Sequence, residues 1–412
     1  MNLVTLSWRN LWRRKRRTLI TASSIAFGVL LAVTFTGTGD YGYTNMINAS
    51  ANMGLGHITL EAPSYNLSPS LDKFISHTAE MQQRLREVPG VSDVMVRIMG
   101  QAMFASARKS IGGMFLAIDP TNESAQHNLF IRSIVEGELF AAPGDRGIVI
   151  GSKMAQKLGL KLGKKLVYTT TDINGEIVSN IARVSGIFKT GVIEVDAAMV
   201  LLPIDSVAET INYKKGDATL LAVIIRDQRY TDSVLQSVKQ ALSGYDVEAL
   251  SWQQTQPDLS GIIAMDRSSN YVSQILVGLL IAAGILNTML MSVIERSREF
   301  GVMMAVGMSP SVLFRLVITE SLWLAILGLV LGILITAPWF YYLYYTGIDF
   351  SGALGDDYSA GGVLIDPVMR IRLYRESVIA ILGGVFLLTL ASGLYPAWRA
   401  TRVPPVESLK TI

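Results

Sequence analysis

Residues Glu295–Pro310 read ERSREFGVMMAVGMSP. The stretch lies between two runs apolar enough to cross a bilayer, Tyr271–Ile294 before it and Val312–Tyr342 after it. A connection between spans is expected to be short and polar. This one opens with two charge pairs, continues as an apolar patch (Val302, Met303, Ala305, Val306, Met308) and closes on Ser309-Pro310. Gly307 suits a helix C-terminus, where glycine takes the left-handed conformation without steric cost. Ser309-Pro310 fits an N-cap followed by proline at the first helical position. The spacing therefore predicts a helix of its own between the two spans, with Glu295 sharing a helical face with Arg298 and with Glu299, so that the helix end is highly charged. Two readings fit its apolar patch: a helix lying on the membrane with methionines against lipid, or a docking helix whose adaptable methionines fill a groove on a cytoplasmic partner.

Working outward, a hydrocarbon core of about 30 Å takes about 20 apolar residues per helix. Two more runs meet this, Thr18–Thr38 and Ser377–Leu394. Between the first and second runs lie more than two hundred residues of ordinary globular composition. The fold class expected is therefore a membrane α-helical protein of four transmembrane helices, with a large α+β extracytoplasmic domain inserted between the first and second. The expected division is 1–17 an interfacial helix, 18–38 the first span, 39–268 the outer domain in two lobes, and 269–294 the second span. Residues 295–310 then form the coupling helix, 311–345 the third span, 346–375 an outer loop, 376–396 the fourth span and 397–412 a tail.

Charge sets the orientation, because lysine and arginine in short loops stay on the cytoplasmic side. WRNLWRRKRRT, before the first span, carries Arg9, Arg13, Arg14, Lys15, Arg16 and Arg17 and no acid. Arg296, Arg298 and Arg315 follow the second span, and Arg399, Arg402 and Lys410 the fourth. Both termini read as cytoplasmic in the inner membrane of a bacterial cell, with the large domain periplasmic. A cleaved signal peptide is the competing reading of the N-terminus, but TFTGTGDYG makes a poor cleavage site. Leu3, Trp8, Leu11 and Trp12 fall near one face of residues 1–17, with arginines on the other, as in helices lying at the headgroups.

The outer domain has mixed signals. DKFISHTAEMQQRLREVPGV (residues 72–91) reads as a helix ended by Pro89-Gly90. VMVRIMGQAMFAS and GGMFLAID read as strands, and residues 148–188 as strand, helix, strand, hairpin, strand. Asn174-Gly175 is the strongest two-residue hairpin signal in the chain.

Half of the 412 residues are hydrophobic and 17% charged, with a formal net charge of +3, too small to suggest nucleic acid. No cysteine is present, which excludes disulfides, thiolate metal sites and cysteine nucleophiles. His57, His77 and His127 stand far apart, so no metal site is expected. GLKLGKK (Gly159–Lys165) has too short a gap between its glycines, and Lys165 where a phosphate loop needs a hydroxyl. No catalytic residue is expected, and the chain itself binds no cofactor. In the spans the polar exceptions are Asn287 and Glu320. A carboxylate there is costly and a functional candidate. Glu320 lies about 15 Å along its helix from Pro310 at roughly 1.5 Å per residue, near the interface, within reach of Arg315 or the basic N-terminal helix. Asn287 suits an interhelical hydrogen bond. The first span is rich in small residues (Ala22, Ser23, Ser24, Ala26, Gly28), which let helices approach closely, either this chain's own or a partner protomer's.

NTMLMSVIERSREFGVMMAVGMSP resembles the stretch after the second span in permeases of the MacB/LolC–LolE/FtsX group of ATP-binding cassette systems. WRNLWRRKRRTLITASSIAFGV resembles that group's N-terminal entry, GIVIGSKMAQKLGLKLGKKL with VSGIFKTGVIEVD its periplasmic domain, and LYPAWRATRVPPVESLK its C-terminal signature. The resemblance implies a mechanotransmission permease: two protomers, alike or different, joined to two copies of a cytoplasmic ATPase that binds ATP and Mg. It implies that Glu295, Arg296, Arg298, Glu299, Gly301, Met303, Ala305, Gly307 and Met308 contact that ATPase, and that a periplasmic acceptor or adaptor and membrane lipid are further partners. Residues 147–196 are closest to lipoprotein-releasing permeases, which implies lipidated cargo. Export of peptides, toxins or drugs, and FtsX-like control of a cell-wall hydrolase, are the alternatives.

Overall fold

The computed structural model describes residues 3–354, 359–360, 363–364 and 366–402. Parts of the expected outer loop 346–375, and residues 403–412 of the expected tail, lie outside the described residues. The chain is built as two units, one of long helices and one around a sheet.

The first unit comprises residues 1–42, 264–349 and 368–412. Its helices are α1 (Leu3–Arg13), α2 (Lys15–Ser50), α3 (Pro257–Glu295), α4 (Ser297–Ala305), α5 (Pro310–Tyr345) and α6 (Arg375–Ala400); α2 and α3 each run on past the unit's boundary. Among the described residues, four helices are long and apolar enough to cross a membrane: α2 with its continuation to Leu55, α3, α5 and α6. The small residues of α2 pack on the chain's own spans. Ala22, Ile25, Ala26 and Val29 are buried, and a Cβ added at Gly328 or Gly332 of α5 would run into Ile25 or Val29 within 3.0 Å. Ser23, Ser24 and Phe27 face outward. Glycine on one helix thus receives the branched side chains of the other.

The second unit, residues 43–263 and 350–367, holds a ten-stranded mixed sheet. Its strands are β1 (Ile58–Glu61), β2 (Val91–Ala105), β3 (Ser110–Ile118), β4 (Ile134–Gly137), β5 (Gly147–Gly151), β6 (Lys165–Thr171), β7 (Ile177–Phe188), β8 (Met199–Pro203), β9 (Leu220–Ile225) and β10 (Glu248–Ser251). They run in the order β10-β1-β9-β2-β3-β8-β5-β7-β4, with β6 bridging β2 and β7.

Strand β2 carries two cores. Its first half pairs with β9, whose LLAVII is buried at all six positions, as expected of a strand covered on both faces. The helices Thr78–Arg86 and Thr231–Ala241 add Met81, Leu85, Val234 and Val238 to that core. Its second half pairs with β3 and β6, around Phe104, Phe115, Ile150 and Tyr168. At the changeover stands Arg97, fully buried and bidentate to Glu123 at 2.8 and 2.9 Å, with Nη1 donating to the Gly54 carbonyl at 2.6 Å.

Two local expectations change. The helix read over residues 72–91 begins only at Thr78, because Ile75 is drawn into a bridge with Ala218 and His77 turns left-handed (φ 60°). Asn174-Gly175 is not a two-residue hairpin. Asp172 accepts from the Asn174 and Glu176 amides at 2.8 and 2.9 Å and closes a three-residue loop, with Gly175 at φ 81°.

Candidate functional site

Helix α3 ends at Glu295 because Arg296 leaves helical geometry (φ −102°, ψ 9°), and α4 starts at the next residue. The single face expected for Glu295, Arg298 and Glu299 is therefore broken at Arg296. At the other end Met308 N–H donates to the Met303 carbonyl and Gly307 N–H to that of Met304, both at 3.0 Å, with Gly307 at φ 103°. This is a Schellman closure, and it ties Met303 to Met308. Ser309 has extended N-cap geometry before Pro310, but its hydroxyl pairs with Ser311 at 3.1 Å rather than with a helix amide.

The short helix has an inner and an outer face. Phe300 and Gly301 are buried; Phe300 packs with Val293, Leu313, Leu316 and Val317, and the half-buried Met303 and Met304 rest on the same core. Outward stand Arg298, Val302, Ala305, Val306 and Gly307. Val302 is 45% and Val306 84% exposed, so the most exposed apolar side chains of the helix are two valines one turn apart beside an arginine, while Met303 and Met308 are half-buried. Glu299 is half-buried, and Met308 is held by the closure.

Behind the helix lies a charged anchor. Arg296, 7% exposed, donates from Nη1 to both oxygens of Glu320 at 2.9 Å and from Nε to Glu299 at 3.2 Å. Its guanidinium stacks over Phe300, 4.9 Å from the ring centroid. Asn10 of α1 donates to Glu320 at 2.9 Å. Arg13 reaches Glu299 at 3.5 Å, Arg17 reaches Glu295 at 2.9 Å, and Arg14 also pairs with Glu295. The rings of Trp8 and Trp323 meet at a tilt of 59° with centroids 4.9 Å apart, so α1 is fastened to α5 beside the same network. Glu320 is paired as its position in a span requires, but with Arg296 instead of Arg315, which is exposed. The reversal of chain direction through α4 brings residue 296 to 320, which no helical spacing rule reveals. Asn287 is exposed on α3 and makes no side-chain hydrogen bond among the described residues.

A second feature of this unit is an apolar groove of about 320 Å³ between α2, α3 and α6, lined by Ala32, Phe35, Val277, Ile281, Val385 and Leu388 among others, with Gln274 donating to Thr36 at 3.2 Å. Among the described residues no cluster of histidine and carboxylates could hold a metal ion.

Four membrane-crossing helices with an α/β domain between the first and second define the class: a polytopic membrane protein with an extracytoplasmic domain. Residues 18–241 match the MacB-like periplasmic core domain family and residues 271–405 the FtsX-like permease C-terminal family. The chain belongs to the MacB/LolC/FtsX family of ABC transporter permeases. An uncharacterized ABC transporter permease of Methanocaldococcus jannaschii is 25% identical over 99% of this chain and 98% of its own length. The pyoverdine export ATP-binding/permease protein PvdT of Pseudomonas syringae pv. syringae is 24% identical over 98% of this chain, which spans 59% of that protein. The lipoprotein-releasing system transmembrane protein LolC of Xylella fastidiosa is 23% identical over 65% of each chain. The solved periplasmic region of MacB from Actinobacillus actinomycetemcomitans aligns over 52% of this chain and 97% of its own, at 12% identity and a TM-score of 0.35.

Proposed function

We propose that this permease works without catalysing a reaction itself, and that its α4 docks on a cytoplasmic ATPase that supplies ATP and Mg chemistry. The observation that carries this reading is the two-faced short helix: an outer stripe of Arg298, Val302, Ala305 and Val306 on a body fixed by Arg296, Glu320 and α1. An exposed valine pair next to a charged rim suits a protein groove, and a helix this firmly braced passes a push to α3 and α5 instead of absorbing it. In this reading both termini are cytoplasmic in the inner membrane, and two protomers, alike or different, meet two ATPases. Movement of the outer domain hands cargo to a periplasmic acceptor or adaptor. Of the nine residues expected at the ATPase, Arg298, Ala305 and Gly307 stand outward, Arg296 and Glu299 brace the helix, Met303 and Met308 close it, Glu295 pairs with Arg14 and Arg17, and Gly301 is buried on the inner face.

For cargo, lipidated protein is the reading supported by the lipoprotein-releasing relatives and by the mostly apolar lining of the groove between α2, α3 and α6. Export of a small secreted compound is the second reading, favoured by the alignment with the pyoverdine export protein over 98% of this chain. Co-purification of the ATPase with a Val302→Asp/Val306→Asp variant tests the docking face. Loss of the ATPase with normal membrane insertion is expected, and undiminished co-purification refutes it. Mass spectrometry of cargo captured on the intact complex separates the two cargo readings.

A further inference from the structure

Beside the anchor is a cavity of about 220 Å³ whose wall carries Arg13, Arg14, Arg17 and Arg296 against the carboxylates of Glu299 and Glu320. With Glu295, which Arg14 and Arg17 bring into the network, four cations stand against three anions, leaving one positive charge in excess. Arg296, although 7% exposed, has an Nη2 that meets no acceptor among the described residues. Its other donors are committed: Nη1 to both oxygens of Glu320, Nε to Glu299. A buried guanidinium nitrogen without an acceptor is costly, and with one positive charge in excess around it an anionic acceptor suits the cavity better than a neutral one. A phosphodiester matches: its tetrahedral oxygens take the forked donors of several arginines at once. The cavity opens where the basic helix α1 meets the start of α2 and the end of α3, the level at which a basic interfacial helix meets lipid headgroups.

From this we infer a built binding site for a phosphate-bearing anion in the cavity between α1, α2, α3 and α5, with the headgroup of an anionic phospholipid of the inner leaflet as its source. The bound phosphate accepts from Arg14, Arg17 and Arg296 and completes the brace behind α4. Lipid thereby becomes a structural component of the docking unit. The inner-leaflet assignment rests on the proposed topology; the site itself does not rest on ATPase docking.

The test uses the full chain purified in detergent and offered phosphatidylglycerol or phosphatidylcholine, with bound lipid counted by native mass spectrometry. One retained phosphatidylglycerol per chain is expected, with phosphatidylcholine not held. In Arg14→Gln/Arg17→Gln retention falls at least about tenfold, as removal of charge-assisted hydrogen bonds to a phosphate requires. The equally charged control Arg9→Gln/Arg16→Gln, whose residues do not line the cavity, keeps the lipid. Circular dichroism and elution volume confirm that both variants remain folded. Inorganic phosphate added as competitor separates the sources. No effect on the retained lipid supports the site with lipid as its source, and full displacement supports the same site with a free anion as its source. Equal loss in both double variants, equal retention of phosphatidylcholine, or no retained lipid in the unaltered chain overturns the proposal and leaves the cavity to water. A C-terminal reporter reads topology independently, so failure of the site and failure of the orientation are told apart.

Discussion

Replacing Glu320 with alanine removes the acceptor of three hydrogen bonds, two from Arg296 and one from Asn10, all at 2.9 Å, from a site where both charged partners are less than 10% exposed. Arg296 is left buried with Nη1 as well as Nη2 unpaired. Breaking one side of a buried pair destabilises by about 3–5 kcal/mol, because the surviving charge stays desolvated. Replacing both partners with leucine avoids that penalty, so Arg296→Leu/Glu320→Leu is expected to lose far less than the two single changes together. A double-mutant cycle on reversible unfolding in mixed micelles measures this. Trp8 and Trp323, 4.9 Å apart beside the pair, give a local fluorescence signal. Glu320→Gln, which retains a carbonyl acceptor for Asn10, falls between the unaltered chain and alanine. A Glu320→Ala loss under about 0.5 kcal/mol, the level of an ordinary surface change, or additivity within about 0.5 kcal/mol, refutes the anchor.

Other tests follow from other parts of the molecule. Gly328→Ile sets a branched side chain where Ile25 already stands; overpacking of about 1–3 kcal/mol is expected, read as a lowered melting temperature that a compensating Ile25→Ala partly restores. In the outer domain, burial lifts the Glu61 carboxyl from 4.5 to about 7, opposed by the Asn66 amide and reinforced by Glu248 across the strand pair. The raised value means that its stabilising contribution is full below pH 4.5 and is lost as pH rises through about 7. Glu61→Gln should therefore gain on the unaltered chain in melting temperature between pH 5 and 8, and a constant difference across that range counts against the assignment. His57 acts in the opposite sense, since burial, with His127 adding to it, lowers it from 6.5 to about 4. Its contribution is present above pH 6.5 and fades toward pH 4, so His57→Gln should narrow the acid-side loss. Glu123→Ala strands Arg97 at the changeover of β2 and should expose the outer domain to protease at sites that remain protected in the unaltered chain.

What the sequence discloses and what it hides divide along physical lines. The four spans are legible because each depends on one continuous apolar run, and the turn into α5 because Gly307 and Ser309-Pro310 are local punctuation. The inserted α+β domain is legible from a different local signal, the alternation in residues such as those of β6 and β7. Pairings that need chain reversal are not. Arg315 lies five residues before Glu320 on one helix, yet the partner is Arg296, on the far side of α4. The burial of Arg97 likewise depends on the change of partners within β2, which pairs with β9 up to Arg97 and with β3 from Ile98. The exposed character of Val302 and Val306 also escapes composition: valines are usual core residues, whereas here Phe300, Met303 and Met304 already fill the inner face. Asn174-Gly175 misleads because Asp172 competes for the same amides from two residues earlier.

The most direct test of the docking account is site-specific photocrosslinking in cells that hold the assembled complex, with the probe at Val306 or Val302 and, as control, at Ile333 on an outward face of α5. The account predicts a single protein adduct from positions 306 and 302, identified by mass spectrometry as a nucleotide-binding ATPase, and none from 333. Adducts with lipid alone at 306 and 302, or the same ATPase adduct at 333, would contradict it.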